Sequence, residues 1–128
     1  MKIEIPVSFG ELVDKLTILN IKKDKIQDKE KLKNIDKEYN HLNLIYKKHS
    51  ANNLNVASLF DSLYDINLKL WDVEDNLRFN EKQNKFNDEF IVFARSVYKL
   101  NDERFVLKSE LNKLVNSEII EEKSYEDY

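Results

Sequence analysis

Charged side chains at the edges of apolar helical stripes are the residues of this 128-residue chain that could form a binding site. In segment 88–116 apolar residues recur every three or four positions, and Arg104 is the one charged residue within the stripe. Asn101 and Lys108 lie three and four positions away, so they project from nearly the same side. An unpaired charge in an apolar stripe is costly, so Arg104 needs an anionic partner.

Two kinds of partner remain open for Arg104. One is a carboxylate of this chain, supplied by Glu74 or Asp75 or by Glu11 or Asp14. The other is the phosphate or carboxylate of a bound ligand, which arginine and lysine together would suit.

The segment around Trp71 has a second occupied side beside its leucine stripe. A helix that is apolar over so wide an arc is buried against two neighbours rather than one. The second neighbour is either another helix or subunit, or the interior of a cleft lined by Trp71, Glu74, Asp75 and Arg78. On the first helix, Glu11 and Lys15 form an i,i+4 pair that belongs either to a solvated face or to the edge of the same site.

These arguments define one predicted set of ligand-binding residues. It comprises Glu11, Asp14, Lys15, Trp71, Glu74, Asp75, Arg78, Asn101, Arg104 and Lys108. No catalytic residue is identified and no metal ligand is predicted, since His41 and His49 have no ligand partner at helical spacing.

The first half of the chain predicts an arm and two helices. Polar and apolar residues alternate at the start of the chain until Pro6, which cannot donate a backbone hydrogen bond. Residues 1–7 are therefore predicted to form an extended arm or a short edge strand. Ser8 and Glu11 have the spacing of a capping box, in which the glutamate returns to the cap, and we expect helix 1 over Phe9–Lys25. Asp28 is the expected cap of helix 2, whose stripe runs from Leu32 to Tyr46.

The second half predicts two longer helices and a tail. A loop over 49–55 precedes helix 3, whose stripe runs from Leu59 to Leu77, and a second loop spans 80–87. Helix 4 follows over Asp88–Asn116, and the acidic tail 117–128 is expected to be partly mobile. We therefore predict one all-α domain, an antiparallel bundle of about four long helices with a short extended N-terminal arm.

The length of helix 4 suggests a partner. At about 1.5 Å per residue it would reach roughly 43 Å, more than a compact domain of this size needs. Either the helix bends or a second subunit covers the excess, and we favour a homodimer.

Composition excludes several classes of protein. The chain has no cysteine, which removes disulfides, thiolate catalysis and cysteine-ligated metals, and its one glycine cannot form a phosphate-binding loop. A net charge of −3 gives no electrostatic case for nucleic acid or an anionic membrane. The chain has no membrane-spanning run, and its first residues do not form a signal peptide, so we expect a soluble cytoplasmic protein.

Four blocks of the sequence resemble an uncharacterised family of small all-helical bacterial and phage proteins. They are IPVSFGELVDKLTIL (5–19), LWDVEDNLR (70–78), LNDERFVLKSELN (100–112) and SEIIEEKSY (117–125). The resemblance implies that signature blocks of the family include Gly10, Glu11, Asp14, Lys15, Trp71, Glu74, Asp75, Asn101, Arg104 and Lys108. It implies no activity.

Two characterised helical enzyme groups are similar in part. Glu11-x-x-Asp14 and Glu74-Asp75 look like part of the Mg²⁺ site of helical nucleotide pyrophosphohydrolases, although an E-E-x-x-E block is missing. Helical chorismate mutases bind a dicarboxylate among arginine and lysine side chains, but their long N-terminal helix has no counterpart here.

The leading hypothesis for function is therefore binding of a small anionic ligand in a polar cleft between helices, without a cofactor. One alternative is a non-enzymatic interaction or dimerisation module. The other is an Mg²⁺-dependent pyrophosphohydrolase-like enzyme, for which Mg²⁺ would be required.

Overall fold

Four helices account for most of the protein. The computed structural model describes residues 1–50 and 53–128. Its helices are α1 (Phe9–Lys25), α2 (Lys29–Ser50), α3 (Leu54–Lys82) and α4 (Asp88–Leu114). No strand occurs in these two ranges, and the predicted arm 1–7 is irregular and exposed. The all-α helical bundle predicted from the sequence is confirmed. Within the same residues, no helix combines the length and apolar character needed to cross a bilayer.

The helix starts follow from local capping. The hydroxyl of Ser8 accepts a hydrogen bond from the Glu11 amide at 3.1 Å, and Asp28 Oδ1 accepts one from the Lys31 amide at 3.0 Å. Both predicted caps are therefore present. The prediction that the Glu11 side chain binds back to the cap residue is wrong. Its carboxylate instead accepts a hydrogen bond from Lys108 Nζ at 2.8 Å.

Both predicted loops are shorter in the structure than in the sequence analysis. Helix α2 continues through Ser50, and the side chain of Asn53 caps α3 so that it starts at Leu54. The remainder of the first predicted loop, residues 51–52, lies outside the described residues. Helix α3 continues to Lys82, which leaves 83–87 as the second loop.

Asparagines in a left-handed conformation follow the ends of α3 and α4. Asn84 has φ of 53° and Asn116 has φ of 52°, a region that asparagine tolerates better than most residues. Helix α4 therefore ends at Leu114, two residues before the predicted end.

The shortest helix, α1, is the central one, because it contacts α2, α3 and α4. Its predicted stripe of Leu12, Leu16 and Leu19 is buried. The main core lies between the first half of α1, the start of α3 and the end of α4. This core contains Phe9, Leu12, Val13, Val56, Leu63 and Leu111.

Helices α3 and α4 continue past the end of α1. The last residue of α1, Lys25, places its ammonium 3.3 Å from Asp72 Oδ1, well before α3 ends. Leu63 and Ile66 of the α3 stripe are buried, whereas Val73 and Leu77 are only half-buried. The stripe is therefore continuous in sequence but fully covered only where α1 lies against it.

Gly10 marks the closest approach of α1 to α4. A Cβ atom at this position would lie 2.5 Å from the backbone carbonyl oxygen of Lys108. We expect Gly10→Ala to lower the free energy of unfolding by about 1–3 kcal/mol, because the backbone of α4 must move. In an uncrowded helix the same change would stabilise by about 1 kcal/mol.

Urea denaturation followed by circular dichroism measures this effect. Ser58→Ala, on an exposed part of α3, is the control and should change stability by less than about 0.5 kcal/mol. A Gly10→Ala protein more stable than the parent would contradict the close approach.

Candidate functional site

A buried ion pair joins α1 to α4. The carboxylate of Asp14, which is 1% exposed, accepts two hydrogen bonds from the guanidinium of Arg104. Arg104 Nε lies 2.9 Å from Oδ1 and Nη2 lies 2.5 Å from Oδ2. This is the paired, two-contact geometry that arginine makes with carboxylates. Of the four carboxylates considered in the sequence analysis, Asp14 is the partner of Arg104.

Helix α3 completes the coordination of Asp14. The buried Asn67 donates through Nδ2 to Asp14 Oδ1 and to Thr17 Oγ1, each at 2.8 Å. The Thr17 hydroxyl in turn donates to the backbone carbonyl of Asp14 at 2.7 Å. Three helices therefore meet at one carboxylate, and both of its oxygens accept hydrogen bonds from donors of the protein.

A second ion pair group lies one turn further along α4. Lys108 Nζ is 2.8 Å from Glu11 Oε2 and 2.7 Å from Glu121 Oε2. Burial by itself lowers the pKa of the Lys108 ammonium, but its hydrogen bonds to Glu11 and Glu121 outweigh burial and raise the pKa above 10.5. The pKa of Arg104 is also raised, mainly by its hydrogen bonds to Asp14. Both cations therefore stay charged near neutral pH.

The start of α1 is fitted to the end of α4. The Gly10 amide donates to Asn112 Oδ1 at 2.7 Å, and the Phe9 amide donates to Ser117 Oγ at 3.2 Å. These bonds satisfy amides that the first turn of a helix leaves free. They place Glu11 and Asp14 opposite Lys108 and Arg104.

A cleft of about 380 Å³ opens where α1 reaches α3. Helix α1 contributes Ile18 and Ile21, and helix α3 contributes Leu70 and Trp71. Asn67 of α3 and four charged residues complete the lining: Glu74, Asp75 and Arg78 from α3, and Arg104 from α4. Arg78 binds the carboxylate of Glu74 one turn away. We refer to this space as the Trp71 cleft.

The structure places eight of the ten predicted site residues in two groups. Five of them line the Trp71 cleft: Trp71, Glu74, Asp75, Arg78 and Arg104. Glu11, Asp14 and Lys108 belong to the ion pairs between α1 and α4, and Arg104 is common to both groups. Lys15 is exposed with its Nζ 4.0 Å from Glu11 Oε1, and the half-buried Asn101 does not line the cleft.

Residues 1–128 match the pattern of a family described as a family of unknown function, DUF6165. The chain belongs to this family. The match covers the four blocks that suggested a family resemblance in the sequence. No curated protein and no solved structure matches the chain. The function of this family member must therefore be inferred from its geometry.

Sequence reasoning did not assign the residues that support the ion pairs. Asn67 lies among the apolar residues Leu63, Ile66 and Leu70. Its polar side chain beside an apolar stripe was the sequence feature that could have identified it as a partner of the ion pair. Asn112 and Ser117 cap α1 from a distant part of the chain, and no local pattern identifies such a contact. Glu121 belongs to a segment expected to be partly mobile, yet its carboxylate binds Lys108.

A larger groove of about 660 Å³ lies between the end of α4 and the segment after it. Asn112, Ser117 and Glu121 are among its lining residues. Their side chains are already bound to Gly10, Phe9 and Lys108 respectively. The groove therefore offers fewer free polar groups to a ligand than its size suggests.

The carboxylates do not assemble into a metal site in the described part of this family member. No three histidine, cysteine, aspartate or glutamate side chains of residues 1–50 and 53–128 lie together in a way that would hold an ion. Glu74 and Asp75 line the cleft, whereas Glu11 faces Lys108 and Asp14 faces Arg104.

Removing Arg104 tests the ion pair with Asp14. We expect Arg104→Met to lower the free energy of unfolding by about 3 kcal/mol, because the buried Asp14 carboxylate loses its countercharge. The double variant Arg104→Met/Asp14→Asn should lose less than Arg104→Met alone. Urea denaturation gives both values, with the exposed Arg95→Met as the control. An increase in stability for Arg104→Met would contradict a stabilising pair.

Alkaline pH tests the pairs of Lys108. Its folded-state pKa lies above the ordinary 10.5, so these pairs contribute fully below that pH and are lost as pH rises through the folded-state pKa. We expect the stability difference between the parent and Lys108→Met to shrink as pH rises from about 8 to above about 10.5. The exposed Lys99→Met is the control, and a difference that grows with pH would contradict the assignment.

Proposed function

We propose that this protein binds a small carboxylate- or phosphate-bearing molecule in the Trp71 cleft. The supporting observation is the position of Arg104, which lines the cleft while Asp14 holds its guanidinium from the buried side. An arginine fixed in this way loses little conformational entropy when it binds an anion.

Arg104 retains donors for a ligand. Asp14 engages Nε and Nη2, whereas a guanidinium carries five N–H groups in all. The Arg104 side chain is 30% exposed. The same carboxylate that neutralises the arginine also orients it, so an incoming anion meets a prepared donor.

The remaining walls limit the kind of anion. Trp71, Ile18 and Leu70 offer an apolar surface suited to a planar or aliphatic group. Glu74 and Asp75 oppose Arg78 alone, so the α3 side of the cleft carries more negative than positive charge. Repulsion disfavours a polyphosphate and favours a singly charged group.

This charge balance separates the proposal from the pyrophosphohydrolase alternative. That enzyme class needs several carboxylates around Mg²⁺ and a polyphosphate substrate. In this chain Glu11 and Asp14 are bound to cations, and only Glu74 and Asp75 line the cleft. The geometry therefore favours binding over metal-dependent hydrolysis.

We also propose a cytoplasmic location, supported by the cysteine-free composition. The net charge of −3 supports small molecules rather than nucleic acid or an anionic membrane as partners.

The single tryptophan of the chain lies in the cleft and reports on its occupancy. We expect benzoate or phenyl phosphate to change Trp71 fluorescence saturably, with a dissociation constant on the order of 1 mM for such small probes. Benzamidine, which has the same ring and a positive charge, should bind more weakly. Arg104→Lys should weaken benzoate binding about tenfold, because lysine cannot bind Asp14 and an anion in the same planar arrangement.

Two matched pairs of variants control the fluorescence titration. Arg95→Lys, on the exposed side of α4, should leave benzoate binding unchanged. Asp75→Asn should strengthen binding several-fold by removing a repulsive charge, whereas Asp65→Asn on the outward side of α3 should not. A flat titration for every probe, or equal losses in Arg104→Lys and Arg95→Lys, would overturn the proposal.

A further inference from the structure

A second groove adjoins the Trp71 cleft and is formed by α3 and α4 alone. It measures about 500 Å³. Its apolar floor consists of Leu77 from α3 and Phe90, Ala94 and Val97 from α4. Helix α1 lies against both helices earlier in α3 but reaches only Asp72 at its last residue. We refer to this region as the α3–α4 groove.

Apolar side chains along the groove are incompletely covered. Leu77, Phe90, Ala94 and Val97 are all half-buried rather than buried. Ile91 is 51% exposed and lies one turn before Ala94, on the flank of the groove. A continuous apolar stripe left half-buried marks a helix face that another element can cover.

The accessible surface of the chain is larger than that of a compact monomer of its mass. The protein exposes 9351 Å², whereas a compact monomer of its mass is expected to expose roughly 7,100 Å². The excess of roughly 2,200 Å² exceeds the roughly 800 Å² that each partner buries in a standard interface. The exposed arm and tail contribute to the excess, as do Ile91 and Phe86, whose ring packs edge-on against Phe90 of the groove.

We infer that the α3–α4 groove binds the same groove of a second copy of this chain, which forms a twofold dimer. A twofold contact brings α3 of one copy against α4 of the other. The α3 rim carries Glu74, Arg78 and Glu81, and Arg78 binds the carboxylate of Glu74.

The two copies would pack as α3 and α4 from each chain around shared apolar residues. In this arrangement the partner covers the half-buried stripe of the groove, as α1 covers the earlier part of the α3 stripe. Ala94 is the smallest residue of the groove floor, so it lets a helix from the partner approach closely.

The interface also borders the Trp71 cleft. Glu74 and Arg78 line both the groove and the cleft. A second copy in the groove lies at the edge of the cleft and limits access from that side. The dimer does not require the cleft to bind a ligand, so either proposal can fail without the other.

Sedimentation equilibrium of the full chain over a range of concentrations tests the dimer. The expected result is a species of twice the 15.3 kDa chain mass. Ile91→Lys should raise the dimer dissociation constant at least about tenfold, or about 1.4 kcal/mol. The adjacent Val92→Lys is the matched control, since Val92 is 63% exposed and lies about 100° further round the helix from the groove.

A second pair of variants places a charge in the groove floor itself. Ala94→Arg should give a monomer that keeps its helical circular dichroism spectrum, whereas Ala57→Arg, on an exposed part of α3, should remain a dimer. A parent protein that is monomeric up to about 100 µM overturns the inference. So does a dimer that Ile91→Lys and Ala94→Arg leave intact, or one that Val92→Lys disrupts as strongly as Ile91→Lys.

Discussion

The buried carboxylate of Asp14 fixes how the three main helices of this protein sit against one another. A carboxylate removed from water must be paired and hydrogen-bonded, and Asp14 finds both partners across helix boundaries, in Arg104 of α4 and Asn67 of α3. The position of Asp14 opposite Arg104 then determines which other residues of α1 and α4 lie in contact. Gly10, one turn earlier, has no side chain where the backbone of α4 passes, and Asn112 caps the start of α1. The shortest helix is therefore the one around which the others are arranged.

The length of α1 explains where the apolar stripes of α3 and α4 are left partly uncovered. Over its seventeen residues it covers the apolar stripes of α3 and α4. Both helices continue beyond Lys25, and their stripes continue with them. The Trp71 cleft lies at the end of this covered region, and the α3–α4 groove follows it. One physical constraint, the limited reach of a single helix, therefore produces both surfaces to which we assign a partner.

Arg104 shows why structural and binding roles need not compete. Part of its guanidinium neutralises Asp14, and the side chain also lines the cleft. Lys108 differs, because Glu11 and Glu121 enclose its ammonium and only 8% of the side chain is exposed. Two cations that are neighbours on one helical face thus have different surroundings. The difference arises from which residues of α1 and of the tail lie opposite them.

The sequence by itself determined the all-α class, the four helices, the caps at Ser8 and Asp28, and the need of Arg104 for an anion. These follow from periodicity and local hydrogen bonding, which act within one or two helical turns. It also placed Trp71, Glu74, Asp75 and Arg78 on one side of α3, since helical spacing alone fixes that.

Only the tertiary structure decided that Asp14 is the partner of Arg104, that Lys108 is enclosed while Arg104 borders a cleft, and that Asn112 and Ser117 cap α1. The Asp14–Arg104 pair, the Glu11–Lys108 pair and the caps of α1 all depend on contacts between residues about 90 or more positions apart in the chain. Helical periodicity identifies the face on which a charge lies. It carries no information about which helix meets that face or where along its length the covering helix ends.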